Sequence, residues 1–502
     1  MGASFEYNLS RRGTLPRYEF LYRCIRHDIL HGTLHAGEQL PSKRNFAHAL
    51  RVSITTIEHA YQRLMSEGYI EGQARCGYFV CNIQPLLLHS EMSTSQTTAK
   101  ANNATENKSS DQRSTAEHRL ESSQIGSAPL AVEPDAKFNA DLQANRPHDS
   151  LFPTATWLRL ARRVISENPP NLFSTIPYNG IAELRNALAQ YLYRARGMRV
   201  SPSCIIVGAG TEYLYGRLIQ LFGNNVSWAF ENPGYRKLAH IANNHHVPWT
   251  FCNVDKSGLL VHALRSTNAN VVHVSPANNF PGGFAMSAKR REELLEWAHE
   301  DRNRFIVEDD YDSELRFGGA LSLPLYACDS QGKTIYLNTF SKTLMPSLRI
   351  SYMILPESLL ERYRETMSFY SCTVSSLEQH TLAKFINEGY FERHLLRMRT
   401  HYKRQRQAIL KALNASDITQ KGHVFSNNAG THFLLYLDTA LSPEAFKQEA
   451  AQRGLNVALL ADYCFEDYPL ANKIAVINYA NLSESQIEKT IRILSTIVHK
   501  TE

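Results

Sequence analysis

The chain has 502 residues, of which 43% are apolar and 20% are charged, and its formal net charge at pH 7 is +6. This length predicts about two to four domains and at least one large core. No run approaches the roughly 18 apolar residues of a membrane helix, and the N-terminus has no secretory signal pattern, so we expect a cytoplasmic protein without membrane contact. The 8 cysteines are scattered with no CxxC pair, which argues against a metal site and against disulfides.

One segment differs in composition from the rest of the chain. Within residues 89–127, 20 of the 39 residues are Ser, Thr, Asn or Gln, and large apolar residues are scarce. Such a segment buries too little apolar surface to offset the entropy of ordering it. We therefore predict a flexible linker over residues 83–134, between a small N-terminal domain (12–82) and a large C-terminal domain (135–502).

The N-terminal domain has the pattern of three helices followed by a hairpin. Helical apolar stripes and short extended runs are predicted at residues 17–31, 43–50, 54–67, 69–70 and 78–80. Ser42 and Ser53 are placed to cap the second and third helices. Three helices and a two-stranded wing form a winged helix-turn-helix. Residues 1–80 contain 10 Lys and Arg against 7 Asp and Glu, which suits a domain that approaches DNA.

The stretch LPSKRNFAHALRVSITTIEHAYQRL and its flanks closely resemble the GntR family of bacterial repressors. The resemblance implies that Ser42 and Arg44 contact operator DNA and that the third helix enters the major groove. Further residues in reach of DNA are Lys43, Ser53, Thr55, Thr56 and Arg75. The family usually has Arg where this chain has Ile54, so the operator sequence does not carry over. A basic helical module that binds protein is the alternative.

The C-terminal domain alternates β-rich runs with amphipathic helical runs. The predicted strands are Cys204–Gly208, Val226–Phe230, Val271–Ser275, Phe305–Glu308, Ile335–Asn338 and Ile350–Leu355. This alternation predicts an α/β domain with a largely parallel sheet. Because ligands of such sheets bind at the carboxyl ends of the strands, the residues that follow each strand are the candidates for function.

These residues together suit one cofactor. They provide glycines at a helix start, an aromatic ring, a carboxylate, a phenol, a lysine and an arginine, at Gly210, Thr211, Tyr235, Asp309, Tyr311, Thr339, Ser341, Lys342 and Arg349. Pyridoxal phosphate needs a lysine for its imine, a carboxylate for its pyridine nitrogen and a cup for its phosphate. The pattern therefore predicts a pyridoxal 5'-phosphate site.

The order and spacing of these residues resemble the fold-type-I aminotransferases. The resemblance implies that Lys342, the catalytic residue of that family, carries the internal aldimine and that Asp309 pairs with the pyridine nitrogen. It also implies that Tyr311 donates to the phenolate oxygen, with Asn279 as a helper, and that Tyr235 stacks on the ring. The implied phosphate ligands are Gly210, Thr211, Thr339, Ser341 and Arg349.

Both modules in one chain resemble the MocR subfamily of GntR regulators. The expected fold is α/β: an N-terminal winged helix-turn-helix plus the large and small domains of a fold-type-I, pyridoxal-phosphate-dependent, aminotransferase-like protein. The resemblance implies a cytoplasmic bacterial transcription factor that binds operator DNA. It also implies a head-to-tail homodimer.

One departure bears on the ligand. Where aminotransferases have the arginine that clamps the substrate carboxylate, this chain has Val476, which forms no such charge-assisted contact. Arg236, Lys237 or His432 could substitute. The departure favours a sensor whose effector is pyridoxal phosphate itself, as in PdxR-like regulators of vitamin B6 metabolism, over an enzyme. Three alternatives stay open: an aminotransferase with a regulatory head, a regulator that responds to an amino acid or amine bound to the cofactor, and a protein-interaction scaffold with a vestigial cleft.

Overall fold

The structure is a computed structural model. It describes residues 7–80 and 138–499 except for gaps at 8, 13–15, 31–32, 36, 67–68, 74–76, 171, 318–322, 419–421 and 426–429. The predicted linker, 83–134, lies outside the described residues. Contacts divide the chain into two compact units, Met1–Ala128 and Pro129–Glu502. Within the described residues, no helix has the length and apolar character that crossing a membrane requires.

The first unit has the predicted three helices and wing. Its elements are α1 (Arg17–Leu30), β1 (Gln39–Leu40), α2 (Lys43–Leu50), α3 (Ile54–Ser66), β2 (Ile70–Gln73) and β3 (Gly77–Val80). The strands form a small antiparallel sheet in the order β1-β3-β2. The sequence did not predict β1, because two residues are too few to show a periodicity.

The two predicted helix caps are confirmed. Ser42 Oγ accepts a hydrogen bond from the backbone N–H of Asn45 at 3.2 Å, and Ser53 Oγ accepts one from Thr56 at 3.3 Å. Tyr61 on α3 is fully buried, and its hydroxyl donates to the Pro41 carbonyl at 2.8 Å. The two caps fix the N-termini of α2 and α3, and the Tyr61 hydrogen bond joins α3 to the residue before the cap of α2.

The second unit is a mixed α/β structure. Its helices are α4 (Thr154–Glu167), α5 (Ala182–Arg196), α6 (Thr211–Phe222), α7 (Lys237–Asn244), α8 (Val261–Arg265), α9 (Ala288–His299), α10 (Leu325–Cys328), α11 (Glu357–Met367), α12 (Ser376–Asn387), α13 (Tyr390–Asn414), α14 (Pro443–Gln452) and α15 (Glu484–Val498). Its strands are β4 (Ala140–Asp141), β5 (Ile205–Gly208), β6 (Trp228–Asn232), β7 (Trp249–Asp255), β8 (Gly258–Leu259), β9 (Val271–Val274), β10 (Phe305–Asp309), β11 (Thr334–Thr339), β12 (Ser351–Ile354), β13 (His423–Phe425), β14 (His432–Tyr436), β15 (Leu455–Asn456), β16 (Ala458–Leu459) and β17 (Ile474–Asn478).

Eight strands form one large sheet in the order β5-β12-β11-β10-β9-β6-β7-β8. Strands β11, β10, β9, β6 and β7 each run parallel to the next one in this order, and β12 runs antiparallel to both of its neighbours. The carboxyl ends of β5, β6, β9, β10 and β11 therefore meet at one edge, which we call the carboxyl edge. The prediction of a largely parallel sheet is confirmed.

Strand β6 ends two residues later than the sequence pattern suggested. Glu231 and Asn232 were expected to lie beyond the strand, but both are buried within it. Glu231 accepts the backbone N–H of Ser275 at 3.1 Å, and the Asn232 amide donates to Asn253 at 2.8 Å. Because these polar groups have partners on neighbouring elements, the strand continues through them.

The C-terminal part forms a smaller domain around a second sheet. Strands β13, β14, β17 and β16 pair in that order and pack with α13, α14 and α15 around a separate apolar core. In the register of β14 and β17, His432 lies opposite Asn478 and Leu434 lies opposite Val476. Strand β14 therefore begins where the small domain meets the carboxyl edge of the large sheet.

Candidate cofactor site and nucleic-acid interface

Lys342 lies in the turn that follows β11, at the carboxyl edge. Its ammonium group donates a hydrogen bond to the backbone carbonyl of Asn145. Burial lowers the pKa of Lys342 to about 8, while the nearby carboxyl groups of Asp312 and Asp309 act in the opposite direction. A lysine with a lowered pKa is a nucleophile near neutral pH, as attachment to an aldehyde requires.

Asp309 is the last residue of β10, on the strand next to that of Lys342. Its Oδ2 lies 3.6 Å from Nε2 of the buried His273 on β9. Its Oδ1 is buried and has no hydrogen-bond partner within the described residues. A buried carboxylate oxygen with an unused acceptor position is costly unless a donor binds there. A protonated ring nitrogen is such a donor, so this position fits pyridoxal phosphate.

Asn278 joins the phenol of Tyr311 to a second buried carboxyl group. Its side-chain nitrogen lies 3.2 Å from the Tyr311 hydroxyl and 2.8 Å from Asp312 Oδ2. The predicted helper of Tyr311, Asn279, instead accepts the backbone N–H of Gly282 through its Oδ1 at 3.2 Å. The turn after Asn279 uses only its side-chain oxygen, and its buried Nδ2 has no hydrogen-bond partner within the described residues. Asn278 contacts the phenol, while Asn279 keeps a donor that a ligand at this site would satisfy.

Asp312 belongs to the same group of side chains, although sequence reasoning did not single it out. It is 2% exposed. Burial raises the pKa of Asp312 to about 8, against the opposing effects of the hydrogen bond from Asn278 and the charge of Lys342. The carboxyl group and the amine are thus two proton-holding groups of similar pKa at one site.

Gly210, Thr211 and Arg349 form a cradle at the start of α6. Gly210 has φ +94°, and a β-carbon there would lie 2.3 Å from Nη2 of Arg349. The same nitrogen is 3.4 Å from the Ala209 carbonyl, and the Arg349 side chain is half exposed. A helix start and a guanidinium around a position that only glycine permits are typical of an anion site.

Thr339 and Ser341 lie beside this cradle. Ser341 donates its backbone N–H to Thr339 Oγ1 at 3.2 Å, and their hydroxyls are 3.0 Å apart. Thr339 pairs across the sheet with Ser351, which in turn pairs with Gly208 at the end of β5. The sheet therefore places the turn that contains Lys342 on the same side as the loop that contains Gly208 and Gly210.

Phe280 is the centre of an aromatic cluster on the other side of the site. Its ring centroid is 6.4 Å from Tyr235, 6.5 Å from Tyr311, 5.3 Å from His432 and 5.1 Å from Tyr463. Tyr235, the predicted stacking residue, is 39% exposed. We call these five residues the aromatic wall.

Val476 provides no polar group for a ligand. Its side chain is fully buried and packs with Leu434 and Ile474 in a small apolar cluster. Of the possible substitutes, Lys237 pairs with Glu212 at 2.8 Å, and Arg236 Nη1 lies 3.5 Å from the Asp462 carbonyl. Lys237 therefore has an ion-pair partner, whereas Nε of Arg236 has no hydrogen-bond partner within the described residues.

His432 is the only one of the three candidate substitutes that belongs to the aromatic wall. It is 3% exposed, and no side chain within the described residues hydrogen-bonds to its ring nitrogens. Burial and the charge of Lys342 lower the pKa of His432 to about 4. The imidazole is therefore neutral at physiological pH and does not replace a guanidinium.

The candidate DNA-binding residues of α2 lie at its N-terminus. Ser42 and Arg44 are exposed. Lys43 instead donates to Glu58 of α3 at 2.6 Å and lies over the ring of Tyr78. The hydrogen bond with Glu58 raises the pKa of Lys43. Lys43 thus ties α2 to α3, whereas the side chain of Arg44 extends to solvent.

The candidate residues of α3 also lie at its N-terminus. The Ser53 hydroxyl is 2.8 Å from the hydroxyls of both Thr55 and Thr56, so the three form a small polar group. Ile54 among them is 48% exposed and offers an apolar contact. Arg75 of the wing lies outside the described residues.

Comparisons with known families match each unit separately. Residues 17–80 match the family described as bacterial regulatory proteins, gntR family. Residues 140–494 match the family described as aminotransferase class I and II. The kynurenine aminotransferase of Pyrococcus horikoshii shares the fold of the second unit with a TM-score of 0.64 at 22% identity, over 72% of this chain and 91% of that one.

Several relatives align along nearly the whole chain. An uncharacterized HTH-type transcriptional regulator of Bacillus subtilis, YdeL, is 32% identical over 97% of each chain. The probable rhizopine catabolism regulatory protein MocR of Rhizobium meliloti is 29% identical, over 97% of this chain and 94% of its own. The HTH-type pyridoxine biosynthesis transcriptional regulator PdxR of Corynebacterium glutamicum is 28% identical, over 88% of this chain and 87% of its own.

A winged helix-turn-helix joined to an aminotransferase-like domain defines a class of transcriptional regulator in which a pyridoxal-phosphate-binding fold accompanies a DNA-binding head. The chain belongs to the HTH-type transcriptional regulators that join a gntR-family head to an aminotransferase class I and II domain, and it is similar along its length to the MocR regulator.

Proposed function

We propose that this protein is a transcriptional regulator whose affinity for operator DNA depends on pyridoxal phosphate. The observation that carries the proposal is a complete set of cofactor-holding groups next to a site that lacks a substrate clamp. Lys342, Asp309 and Arg349 lie at one edge of the sheet, while Val476, which stands in the sequence where aminotransferases have the clamp arginine, is buried. Such a site is suited to retain the cofactor rather than to process an amino acid.

Each of the cofactor-holding residues has a proposed role. Bound pyridoxal phosphate supplies an aldehyde and an electron-withdrawing ring. Lys342 offers the amine for covalent attachment, and Asp309 accepts from the ring nitrogen while His273 orients it. Tyr311, held by Asn278, donates to the phenolic oxygen, and Tyr235 covers one face of the ring. The phosphate is proposed to bind among Gly210, Thr211, Thr339, Ser341 and Arg349.

The DNA interface is proposed to lie on the first unit. Arg44 extends from the N-terminus of α2 without an ion-pair partner within the described residues, and the hydroxyls of Ser53, Thr55 and Thr56 lie at the N-terminus of α3. Ser42 and Lys43 contribute at the start of α2. A helix N-terminus with hydroxyls and a guanidinium suits phosphates and guanine edges. Arg75 completes the set from the wing.

The wider biological role is part of the same proposal. We propose control of vitamin B6 metabolism, because the PdxR relative is named for pyridoxine biosynthesis. We also propose a cytoplasmic head-to-tail homodimer, in which residues 12–82 and 135–502 are the two domains and 83–134 is the linker.

The decisive experiment compares operator affinity with and without the cofactor. Binding sequences are first selected from a random duplex pool with the purified full-length protein. The dissociation constant for the selected operator is then measured for protein freed of cofactor and for protein saturated with it. We expect at least a several-fold difference; equal constants at one fixed salt concentration would show that pyridoxal phosphate is not the effector.

An aminotransferase, or a regulator that responds to an amine, is the second candidate. It is favoured by Lys342, whose pKa burial lowers to about 8, by Asp309 beside His273, and by the neutral His432 in the aromatic wall. Amino acids and amines added to the cofactor-loaded protein distinguish the two. Loss of the absorbance of the lysine-bound form and growth of the pyridoxamine form would favour this candidate.

A further inference from the structure

Helix α13 concentrates the positive charge of the chain. Its 25 residues contain seven Arg and Lys and a single acidic residue, Glu392. The net charge of this helix, +6, equals the formal net charge of all 502 residues. The rest of the chain is therefore balanced, and its excess of positive charge lies on one helix of the aminotransferase-like unit.

The exposed cations of this helix follow one face. Arg397, Arg404 and Lys411 are seven residues apart, and Lys403 flanks them; all four are exposed. Seven residues are close to two helical turns, so the side chains line up over about 21 Å. We call these four residues the basic stripe. The opposite face of α13 carries Met398, Tyr402 and Ile409, which are fully buried in the core of the small domain.

No acidic side chain within the described residues neutralises the positive charge of the basic stripe. Within the described residues, none of its four cations forms an ion pair, whereas exposed cations of other helices do, such as Lys237 with Glu212 and Lys289 with Glu293. Ordinary solvated helix faces alternate charges of opposite sign. A face of one sign keeps its full electrostatic potential and attracts a polyanion.

We propose that the basic stripe binds the sugar-phosphate backbone of DNA that flanks the sequence read by the winged helix. This inference rests on the proposed function, in which the same chain binds an operator. At about 3.4 Å per base pair, the stripe spans roughly six base pairs of duplex. One chain carries both the winged helix and the stripe, so DNA bound by the winged helix is at a raised effective concentration for the stripe. Contacts that are weak by themselves then add to the total affinity.

The composition of the face favours DNA over a lipid surface. The residues between the stripe cations on this face are Thr400 and Gln407, both exposed and polar. A helix that lies on a membrane needs large apolar side chains beside its basic ones. Backbone recognition of nucleic acid needs only cations and hydrogen-bond donors, which this face provides.

The test neutralises the stripe without changing its shape. The variant replaces Arg397, Lys403, Arg404 and Lys411 with Gln in the full chain. A matched control replaces four exposed cations that lie on separate elements, Lys256, Arg302, Arg362 and Lys489, and it has the same net charge. Both are titrated with a duplex of about 20 base pairs that holds the selected operator, and with one of about 60 base pairs that adds mixed-sequence flanks.

We expect the stripe variant to bind the short duplex like the wild type and to bind the long duplex about tenfold more weakly. With about 0.9 counterions released per phosphate, its salt dependence on the long duplex should also fall by roughly 3 to 4 in slope. The control variant should match the wild type on both. Equal affinities and slopes of variant and control on the long duplex would overturn the inference, as would stripe-dependent binding to anionic vesicles alone.

The outcomes also separate this inference from the proposed function. The cofactor concentration is the same in all of these titrations. The comparison of variant and control therefore stays valid even if pyridoxal phosphate does not change the affinity for the operator. Failure of the wild type to bind the short duplex would contradict the proposed binding of an operator. In that case, the long duplex of mixed sequence still decides whether the stripe binds DNA.

Discussion

Gly430 of the small domain lies against Asn278 of the large domain so closely that a β-carbon on it would be 2.4 Å from the Asn278 side-chain nitrogen and 2.9 Å from Asp312 Oδ2. Gly430 also has φ +74°. Asn278 and Asp312, which lie at the Tyr311 hydroxyl and near the charge of Lys342, are therefore in direct contact with the small domain at this point. We therefore expect a substitution at Gly430 to affect both the domain contact and the side chains around the cofactor site.

We expect Gly430→Ala to lower both stability and cofactor affinity. The left-handed backbone conformation and the clash with Asn278 together should cost about 1 to 3 kcal/mol in the free energy of unfolding. Gly332→Ala is a matched control, because Gly332 also has a positive φ of 65° but a β-carbon on it would lie 3.5 Å from its nearest neighbour, a carbon of Pro356. Urea unfolding and cofactor titration measure the effects; equal cofactor affinity in both variants would show that the contact with Asn278 does not influence the site.

Lys342→Ala should abolish the absorbance of lysine-bound pyridoxal phosphate near the visible edge and leave the fold intact. The amine of Lys342 is the group that attaches the cofactor, whereas the surrounding strands, and not this side chain, form the fold. Lys256→Ala, at an exposed position away from the carboxyl edge, is the control and should keep the spectrum. Borohydride trapping of cofactor on the Lys342→Ala protein would reveal a different anchor.

The rate at which pyridoxal phosphate becomes attached should rise with pH and level off above about pH 8. The pKa of Lys342 is lowered to about 8, so the neutral amine becomes the major form above that pH. Asp312→Asn keeps an acceptor for Asn278 but removes a carboxyl group that raises the pKa of the lysine, so the midpoint should move to lower pH. Stopped-flow absorbance across the pH range measures it, and an unmoved midpoint would exclude Asp312 as the partner of the amine.

Arg44→Ala should weaken operator binding by about 1 to 3 kcal/mol, because a single guanidinium contact to a base edge is lost. Its affinity for pyridoxal phosphate should not change. Arg17→Ala removes an exposed arginine from the first turn of α1 and serves as the control. Fluorescence anisotropy at one salt concentration compares the three proteins, and equal affinities of both variants would remove Arg44 from the interface.

Ordinary α-amino acids should leave the operator affinity of the cofactor-loaded protein unchanged. A ligand shifts a conformational equilibrium only through a difference in affinity between the two states, and Val476 offers no contact to a carboxylate. A panel of amino acids in the operator titration tests this. A tenfold change with any one of them would falsify the interpretation of this protein as a sensor of the cofactor alone.

The sequence predicted the elements that end in chemically distinctive residues. The strands that deliver Asp309 and Lys342 and the loop with Gly210 could be placed, because each is an apolar run followed by residues that a parallel sheet brings to one edge. The caps at Ser42 and Ser53 could be placed for a similar reason, since a hydroxyl before a helical stripe has a local role.

What the sequence did not reveal depends on contacts between distant segments. His273 is an ordinary strand residue until β9 and β10 pair and bring it to Asp309. Asn278 and Asn279 are chemically identical neighbours, and only the folded turn shows that Asn278 contacts Tyr311 while the Nδ2 of Asn279 has no partner within the described residues. Strand β7 has an irregular burial pattern, so its periodicity was too weak to be recognised.

The reversed direction of β12 determines which part of the protein holds the cofactor. Lys342 follows the end of β11, and the chain turns back through Arg349 into β12, so the proposed covalent anchor and the proposed phosphate ligand belong to a single hairpin. Asp309 and Gly210 lie on strands of the same sheet or directly after them, and none of the proposed holding residues lies on the small domain. A substitution at Val476 or His432 of the small domain would thus change the surroundings of a ligand without replacing any of the residues proposed to hold the cofactor.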